Sequence, residues 1–243
     1  MPPDRRSSVS AFVDDYRRLR LREGFACPDP AFARQLPFRD ITGRNRAIWR
    51  TRALHYGLIR ACLRLLPDAH RVLDLGAGNG WLARRLAGAH QVTAVDVDAT
   101  DTGLGGLDDA RVFRARAELE ALPLDDGRFD VVIAAAALHY AIDLNAALAE
   151  IARVLRPAGM FILADSPVYA DQIQRHRAWQ RTCRYYAEAG TPDLASRYRG
   201  LTRGELDGCG RFRFTTLSPG LPSWRALFRR ESVRLPLLLG RKL

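Results

Sequence analysis

The chain has 243 residues, 47% of them apolar, and a formal net charge of +11; that is enough for one sizeable core, and no apolar run approaches the roughly 18 residues of a membrane span. Its start, Met1-Pro-Pro-Asp-Arg-Arg6, has no apolar stretch of a secretory signal, and its four cysteines lack C-x-x-C spacing, so a reducing, cytoplasmic setting without disulfide or metal is expected. The positive excess sits at the two ends, with 14 Arg against 7 acids in residues 1–70, 9 Arg against 14 acids in 71–165, and 14 Arg plus Lys242 against 6 acids in 166–243; it reads either as solvated arginine or as a surface for an anionic partner, a small phosphate or carboxylate compound or RNA.

Residues 1–8 read as disordered, followed by an amphipathic helix from Val9 to Glu23 on Phe12, Val13, Tyr16 and Leu19, with Ser8 or Ser10 as its cap. Residues 24–46, with three prolines and Phe25, Phe32 and Phe38, read as an irregular, anchored connection. A second helix is expected from Ala47 to Leu66. Its Trp49, His55 and Tyr56 fit a ligand face, although aromatics at helical spacing are more often core.

The stretch Arg71-Val-Leu-Asp-Leu-Gly-Ala-Gly-Asn-Gly-Trp81 organises the rest. A buried strand ends in Gly76, Gly78 and Gly80, and a helix with Leu82 and Leu86 follows. Such a turn lets backbone approach a ligand closely and offers the free N–H groups of a helix start. The dinucleotide pattern G-x-G-x-x-G fails because Trp81 occupies the third glycine position, and a Walker-type phosphate loop fails because no Gly-Lys-Ser/Thr follows. Gln91-Val-Thr-Ala-Val-Asp96 is a second strand, and Asp96, 20 residues after Gly76, stands where a carboxylate on the next strand reaches ribose hydroxyls. Asp98 is the weaker alternative. Any helix within Thr100–Ala110 has to be brief.

A third strand is read at Arg111–Arg116 and a fourth from Phe129 to Ala135. Asp143 is expected to cap a helix over Leu144–Leu155, closed by Pro157 and Gly159, with the fifth strand at Met160–Asp165. Residues 166–200 look inserted, with a polar helix from Tyr169 to Ala189. Thr202 and Glu205 have capping-box spacing for a short helix. Strands follow at Phe212–Leu217 and Arg234–Leu239, separated by a short Trp224–Arg230 helix.

Glu120-Ala-Leu-Pro-Leu124, Asp126-Gly-Arg-Phe-Asp-Val-Val132, Ala137-Leu-His-Tyr140 and Glu150-Ile-Ala-Arg-Val-Leu-Arg-Pro-Ala-Gly159, added to the D-x-G-x-G-x-G turn at Asp74, resemble the type 11 group of class I S-adenosylmethionine (SAM)-dependent methyltransferases. The likeness covers roughly residues 71–165 and the two last strands. It implies a Rossmann-like α/β fold, a doubly wound, mostly parallel seven-stranded sheet of order 3-2-1-4-5-7-6 with the last strand antiparallel. Residues 1–70 then form a helical cap, and 71–243 a SAM-binding core with 166–200 as an inserted cap.

The resemblance also implies contacts. Gly76, Gly78, Asn79 and Gly80 shape the loop under the methionine part, Asp74 assists at its amino group, and Asp96 takes the ribose hydroxyls. Val97 packs on the adenine, Glu118 accepts from its N6 with Leu119 at the ring, and the Ala135 carbonyl borders the sulfonium. The family usually has Asp at position 118, so the adenine contact is indirect or shifts to Glu120. Ala158 replaces a common glycine.

Ligands on such sheets bind beyond the carboxyl ends of the strands, which brings His139, Tyr140 and Asp165 near the reacting atoms. His139 is the base candidate by its ordinary pKa, or else a structural histidine with a satisfied hydrogen bond. His176, Tyr185 and Tyr186 are acceptor-site candidates, whereas His70 and His90 lie at strand starts, the wrong edge. The expected function is SAM-dependent methyl transfer to O or N of a small acceptor, an anionic one being suggested by the basic flanks. The alternatives are an RNA methyltransferase, a SAM-fold protein without methyl transfer, and a nicotinamide oxidoreductase.

Overall fold

The computed structural model describes residues 5–29, 31–66, 71–218 and 235–243. In chain order the elements are α1 (Arg5–Glu23), α2 (Ala31–Gln35), α3 (Arg46–Arg64), β1 (Arg71–Leu75), α4 (Trp81–Leu86), β2 (Gln91–Asp96), β3 (Val112–Arg116), β4 (Phe129–Ala135), α5 (Leu144–Val154) and β5 (Leu155–Ala164). There follow β6 (Val168–Tyr169), α6 (Gln172–Glu188), β7 (Leu201–Thr202), α7 (Arg203–Asp207), β8 (Phe212–Ser218) and β9 (Leu237–Lys242).

Seven strands form one sheet in the order β3-β2-β1-β4-β5-β9-β8, parallel except that β9 runs antiparallel to both neighbours. This is the expected order and direction. The central strands are apolar on both sides because helices cover both faces. Val72, Val92, Val131 and Ile162 pack under α3 and α4, while Leu73, Leu75, Val132 and Phe161 pack under α5. A third, smaller cluster lies apart from these: Leu19 of α1 meets Tyr186 of α6 and Leu194 of the turn that follows. The N-terminal helix and the 166–200 insert thus share a core of their own.

Local chemistry accounts for the helix ends. Asp143 accepts from the Asn145 and Ala146 N–H groups as the cap of α5, and the Thr202–Glu205 capping box is complete on α7. Several boundaries depart from expectation. Helix α1 is already running at Arg5, so Ser8 and Ser10 lie within it and not at its start, because backbone pairing extends beyond the apolar stripe. Helix α6 begins at Gln172 behind the Asp171 cap, since Tyr169 is taken by the two-residue parallel pair β6–β7. Between β2 and β3 there is only one 3₁₀ turn, Leu104–Gly106. Strand β9 starts at Leu237 because Pro236 has no N–H for the ladder. The Trp224–Arg230 helix falls outside the described residues.

Pro157 and Gly159 do not separate α5 from a strand at Met160. Strand β5 begins at Leu155, and the register with β4 shifts between Phe129 and Val131 to absorb the extra residues. Ala158 stands at that irregularity with φ +59°. A left-handed L-residue costs about 1–2 kcal/mol, so Ala158→Gly is expected to stabilise the fold by roughly 1 kcal/mol, read as a rise of about 2–4 °C in Tm.

Candidate functional site

The loop after β1 is built by its glycines. Gly76, Gly78 and Gly80 have φ of +72°, +54° and +71°. Two of them are also packing requirements: a Cβ on Gly76 would stand 2.2 Å from Ala137 Cβ, and one on Gly80 2.7 Å from Leu107 Cδ2. Gly78 differs, since a Cβ there would meet nothing within 4 Å. It opens onto a cavity of about 430 Å³ at the carboxyl ends of the strands, which Gly76, Ala77 and Asn79 also line. The Gly76 and Ala77 N–H groups donate to Val95 O, tying the loop to β2, and Asn79 Oδ1 accepts from Trp81 N at the start of α4.

Asp74 lies beneath this loop, 1% exposed, with Oδ2 accepting from Ala83 N at 3.0 Å. Burial holds its carboxyl up to about 7. It is not among the residues lining the cavity, so the structure gives it a bracing contact to α4 and not the expected place beside an amino group. Gly80 likewise shapes the turn without lining the cavity.

Asp96, Val97, Leu119 and Ala135 all line the cavity. Asp96 Oδ2 accepts from Gly78 N at 2.7 Å and Oδ1 from Asp98 N at 2.8 Å. Burial raises its carboxyl to about 6 despite these two N–H groups. Asp98 also faces the cavity, but its Oδ1 is occupied by Thr100. Neither acid expected at the adenine arrives there. Glu118 is turned towards Arg197, 3.8 Å away, and Glu120 Oε1 accepts from Ile142 and Asp143 N–H groups. The side chains placed at that wall are those of Ala117 and Leu119.

At the other end of the cavity, β4 leads into a 3₁₀ turn that carries His139 and Tyr140, and Asp165, with φ +56°, directly follows β5. His139 is buried, with Nδ1 3.1 Å from Ser166 Oγ and its carbonyl accepting from Arg199 N. Burial, and then the charges of Arg20 and Arg52, lower its pKa to about 3, so the imidazole is neutral at physiological pH. Tyr140 OH accepts from Arg20 Nη2 at 2.5 Å. Asp165 Oδ1 is 2.7 Å from His55 Nδ1, a pair joined across 110 residues and buried on both sides.

Tyr185 and Tyr186 line the cavity, while His176 and His90 do not; His176 instead stacks near Trp179 on α6. His70 lies outside the described residues. Trp49 reaches the cavity, but Tyr56 is core. Sequence reasoning missed Arg17, Arg20 and Arg52, which face inward from α1 and α3, and Tyr198 after α6. Tyr16 and Arg20, one turn apart on α1, were the available signal: the guanidinium lies 4.8 Å from the Tyr16 ring centroid. Among the described residues no helix is long and apolar enough to cross a membrane, and no three His, Cys, Asp or Glu are grouped to hold a metal.

Residues 73–163 match the model of a family described as "Methyltransferase domain". Among curated proteins, the chain is 34% identical over 138 residues to a malonyl-[acyl-carrier protein] O-methyltransferase of Pseudescherichia vulneris, covering 53% of this chain and 54% of the other. It is 32% identical over 152 residues to a dimethylglycine N-methyltransferase of Parasynechococcus marenigrum (strain WH8102), covering 59% and 52%. The matches therefore span about half the length of these curated relatives. Among solved structures, the Burkholderia thailandensis 1,6-didemethyltoxoflavin-N1-methyltransferase, with S-adenosylhomocysteine and its acceptor bound, superposes with a TM-score of 0.54. That match has 22% identity and covers 82% of each chain, a likeness of fold.

Proposed function

We propose, from the class I methyltransferase domain that this chain carries, that the protein transfers a methyl group from SAM to an oxygen or nitrogen of a small molecule. The observation that carries the reading is the pairing of Gly78 with Asp96. A glycine with open space on its Cβ side and a cavity-facing carboxylate that accepts from its N–H at 2.7 Å form a cradle for a nucleoside at the ends of β1 and β2. Gly76, Gly78 and Asn79 would hold the amino-acid end, Asp96 the ribose, and Val97 and Leu119 the adenine. When bound, SAM supplies an activated methyl group on a sulfonium.

The chain's own task is then to orient an acceptor, exclude water and take up any proton the acceptor loses. Helix α1 and the insert supply the enclosure, and His139 lies at its turn beyond β4, where burial and the charges of Arg20 and Arg52 make it a weak acceptor for that proton. A small acceptor fits a cavity of about 430 Å³. Of the two curated relatives, one is named for a small amino acid, dimethylglycine, and the other for a malonyl group on an acyl-carrier protein. Against an RNA substrate, two of the N-terminal arginines are turned inward: Arg17 pairs with Asp101 and Arg20 with Glu23.

Calorimetric titration with S-adenosylhomocysteine tests the reading. Micromolar binding, with no response to NADH, is the expected result; no binding sinks it. Release of S-adenosylhomocysteine on incubation with SAM and a small-molecule extract separates a transferase from a module that only binds. Salt-sensitive RNA affinity would favour the alternative substrate.

A further inference from the structure

Three guanidinium groups line the cavity, and two of them are already neutralised. Arg17 Nη2 is 2.6 Å from Asp101 Oδ1, and Arg20 Nη1 is 2.5 Å from Glu23 Oε2. Arg52 has no such partner. Among the described residues it makes no ion pair or hydrogen bond, its buried Nε is unsatisfied, and its contacts are ring faces, Trp49 at 4.5 Å and Phe25 at 5.8 Å. The cavity's carboxylates are engaged elsewhere: Asp96 by the Gly78 and Asp98 N–H groups, Asp98 by Thr100, and Asp165 by His55. A buried guanidinium N–H without an acceptor is costly unless a ligand supplies one.

The position of Arg52 says which ligand. The charged and phenolic groups acting on it are Asp165, Tyr16, Arg20 and Tyr140. Asp165 directly follows β5, which lies two strands from β1, about 10 Å across the sheet from the glycine loop. The surrounding wall is aromatic. Tyr16 and Tyr140 have ring centroids 5.5 Å apart, Tyr140 and Tyr198 5.7 Å, and Phe12 stacks on Tyr16 at 5.6 Å. Such rings suit a flat, apolar body. A planar guanidinium with no hydrogen-bond partner of its own matches the two in-plane oxygens of a carboxylate.

We propose that Arg52 anchors a carboxylate on the methyl acceptor, and that the acceptor is a small acid with a planar, largely apolar body lying against Tyr16, Tyr140 and Tyr198. This rests on the methyltransferase reading and assigns the acceptor class within it.

The test titrates protein saturated with S-adenosylhomocysteine with benzoate, phenylacetate and the neutral benzamide. The two acids are expected to bind at least about tenfold more tightly than benzamide. Arg52→Met should remove that preference while leaving S-adenosylhomocysteine affinity unchanged, and Arg52→Lys should restore part of it. Acids that bind no better than benzamide, or do not bind at all, overturn the proposal. So does an Arg52→Met variant that loses affinity for S-adenosylhomocysteine instead, because the guanidinium then serves the carboxylate of the cofactor. S-adenosylhomocysteine binding by the unaltered protein reports separately on the methyltransferase reading, so the two can fail independently.

Discussion

Replacing Asp96 with Ala is expected to weaken S-adenosylhomocysteine binding by two orders of magnitude or more, about 3 kcal/mol, while the sheet stays folded. Two losses add. The ribose hydroxyls lose a charged acceptor, and the Gly78 N–H, which Asp96 Oδ2 holds at 2.7 Å, is released so that the loop is no longer set for the ligand. The side chain packs in neither of the two large cores, so the cost to Tm is a few degrees. Calorimetry and thermal melting read the two effects apart, and unchanged affinity would remove Asp96 from the site. The pH dependence follows from the raised carboxyl, at about 6. The ionised form accepts the ribose hydroxyls, so affinity is full above pH 6 and falls as pH drops through that value, by about tenfold per unit. Asp96→Asn should bind weakly at every pH and lose this slope.

Gly76→Ala should be the most damaging single-methyl change in the glycine loop after β1. The new Cβ would lie 2.2 Å from Ala137 Cβ, far inside the separation of about 3.5–4 Å that carbon atoms accept, on backbone at φ +72°. Ala137 precedes the turn that carries His139, so relief by movement disturbs both ends of the cavity at once. A loss of about 4 kcal/mol is expected, a fall of roughly 10 °C in Tm, with S-adenosylhomocysteine binding abolished. Gly78→Ala provides the contrast. Its methyl meets nothing within 4 Å, leaving only the strain of left-handed backbone, about 1–2 kcal/mol. Gly76→Ala combined with Ala137→Gly should recover the part of the loss due to the clash, and a cycle without such coupling would refute this account.

What the sequence disclosed was local or periodic. The glycine turn, Asp96 at the end of its strand, the Asp143 cap and the Thr202–Glu205 box are each set by neighbours within a few residues, and the sheet order came from a motif series that resembles a known family. The parts that escaped depend on distant partners. His55 and Asp165 meet only after folding, and nothing in either neighbourhood announces the other. Arg20 and Arg52 sit in helices among other arginines, where composition points to solvent; only the enclosure by α1 and α3 turns them inward. Glu118 and Glu120 illustrate the converse. The family resemblance implied an adenine contact for them, whereas Glu118 Oε2 faces Arg197 and Glu120 Oε1 accepts from the Ile142 and Asp143 N–H groups. The pair β6–β7 is too short to leave a pattern, yet it decides where α6 begins.

The small core shared by Leu19, Tyr186 and Leu194 is separate from the two that hold the sheet. Phe12, Tyr16 and Tyr198 of the acceptor wall are seated on it, whereas the nucleoside cradle is seated on the sheet and Arg52 on α3. A lineage can therefore retool its substrate range by drift in two peripheral segments, leaving the inherited engine untouched. Grafting residues 5–23 together with 172–198 from a cousin of different appetite is the corresponding laboratory shortcut.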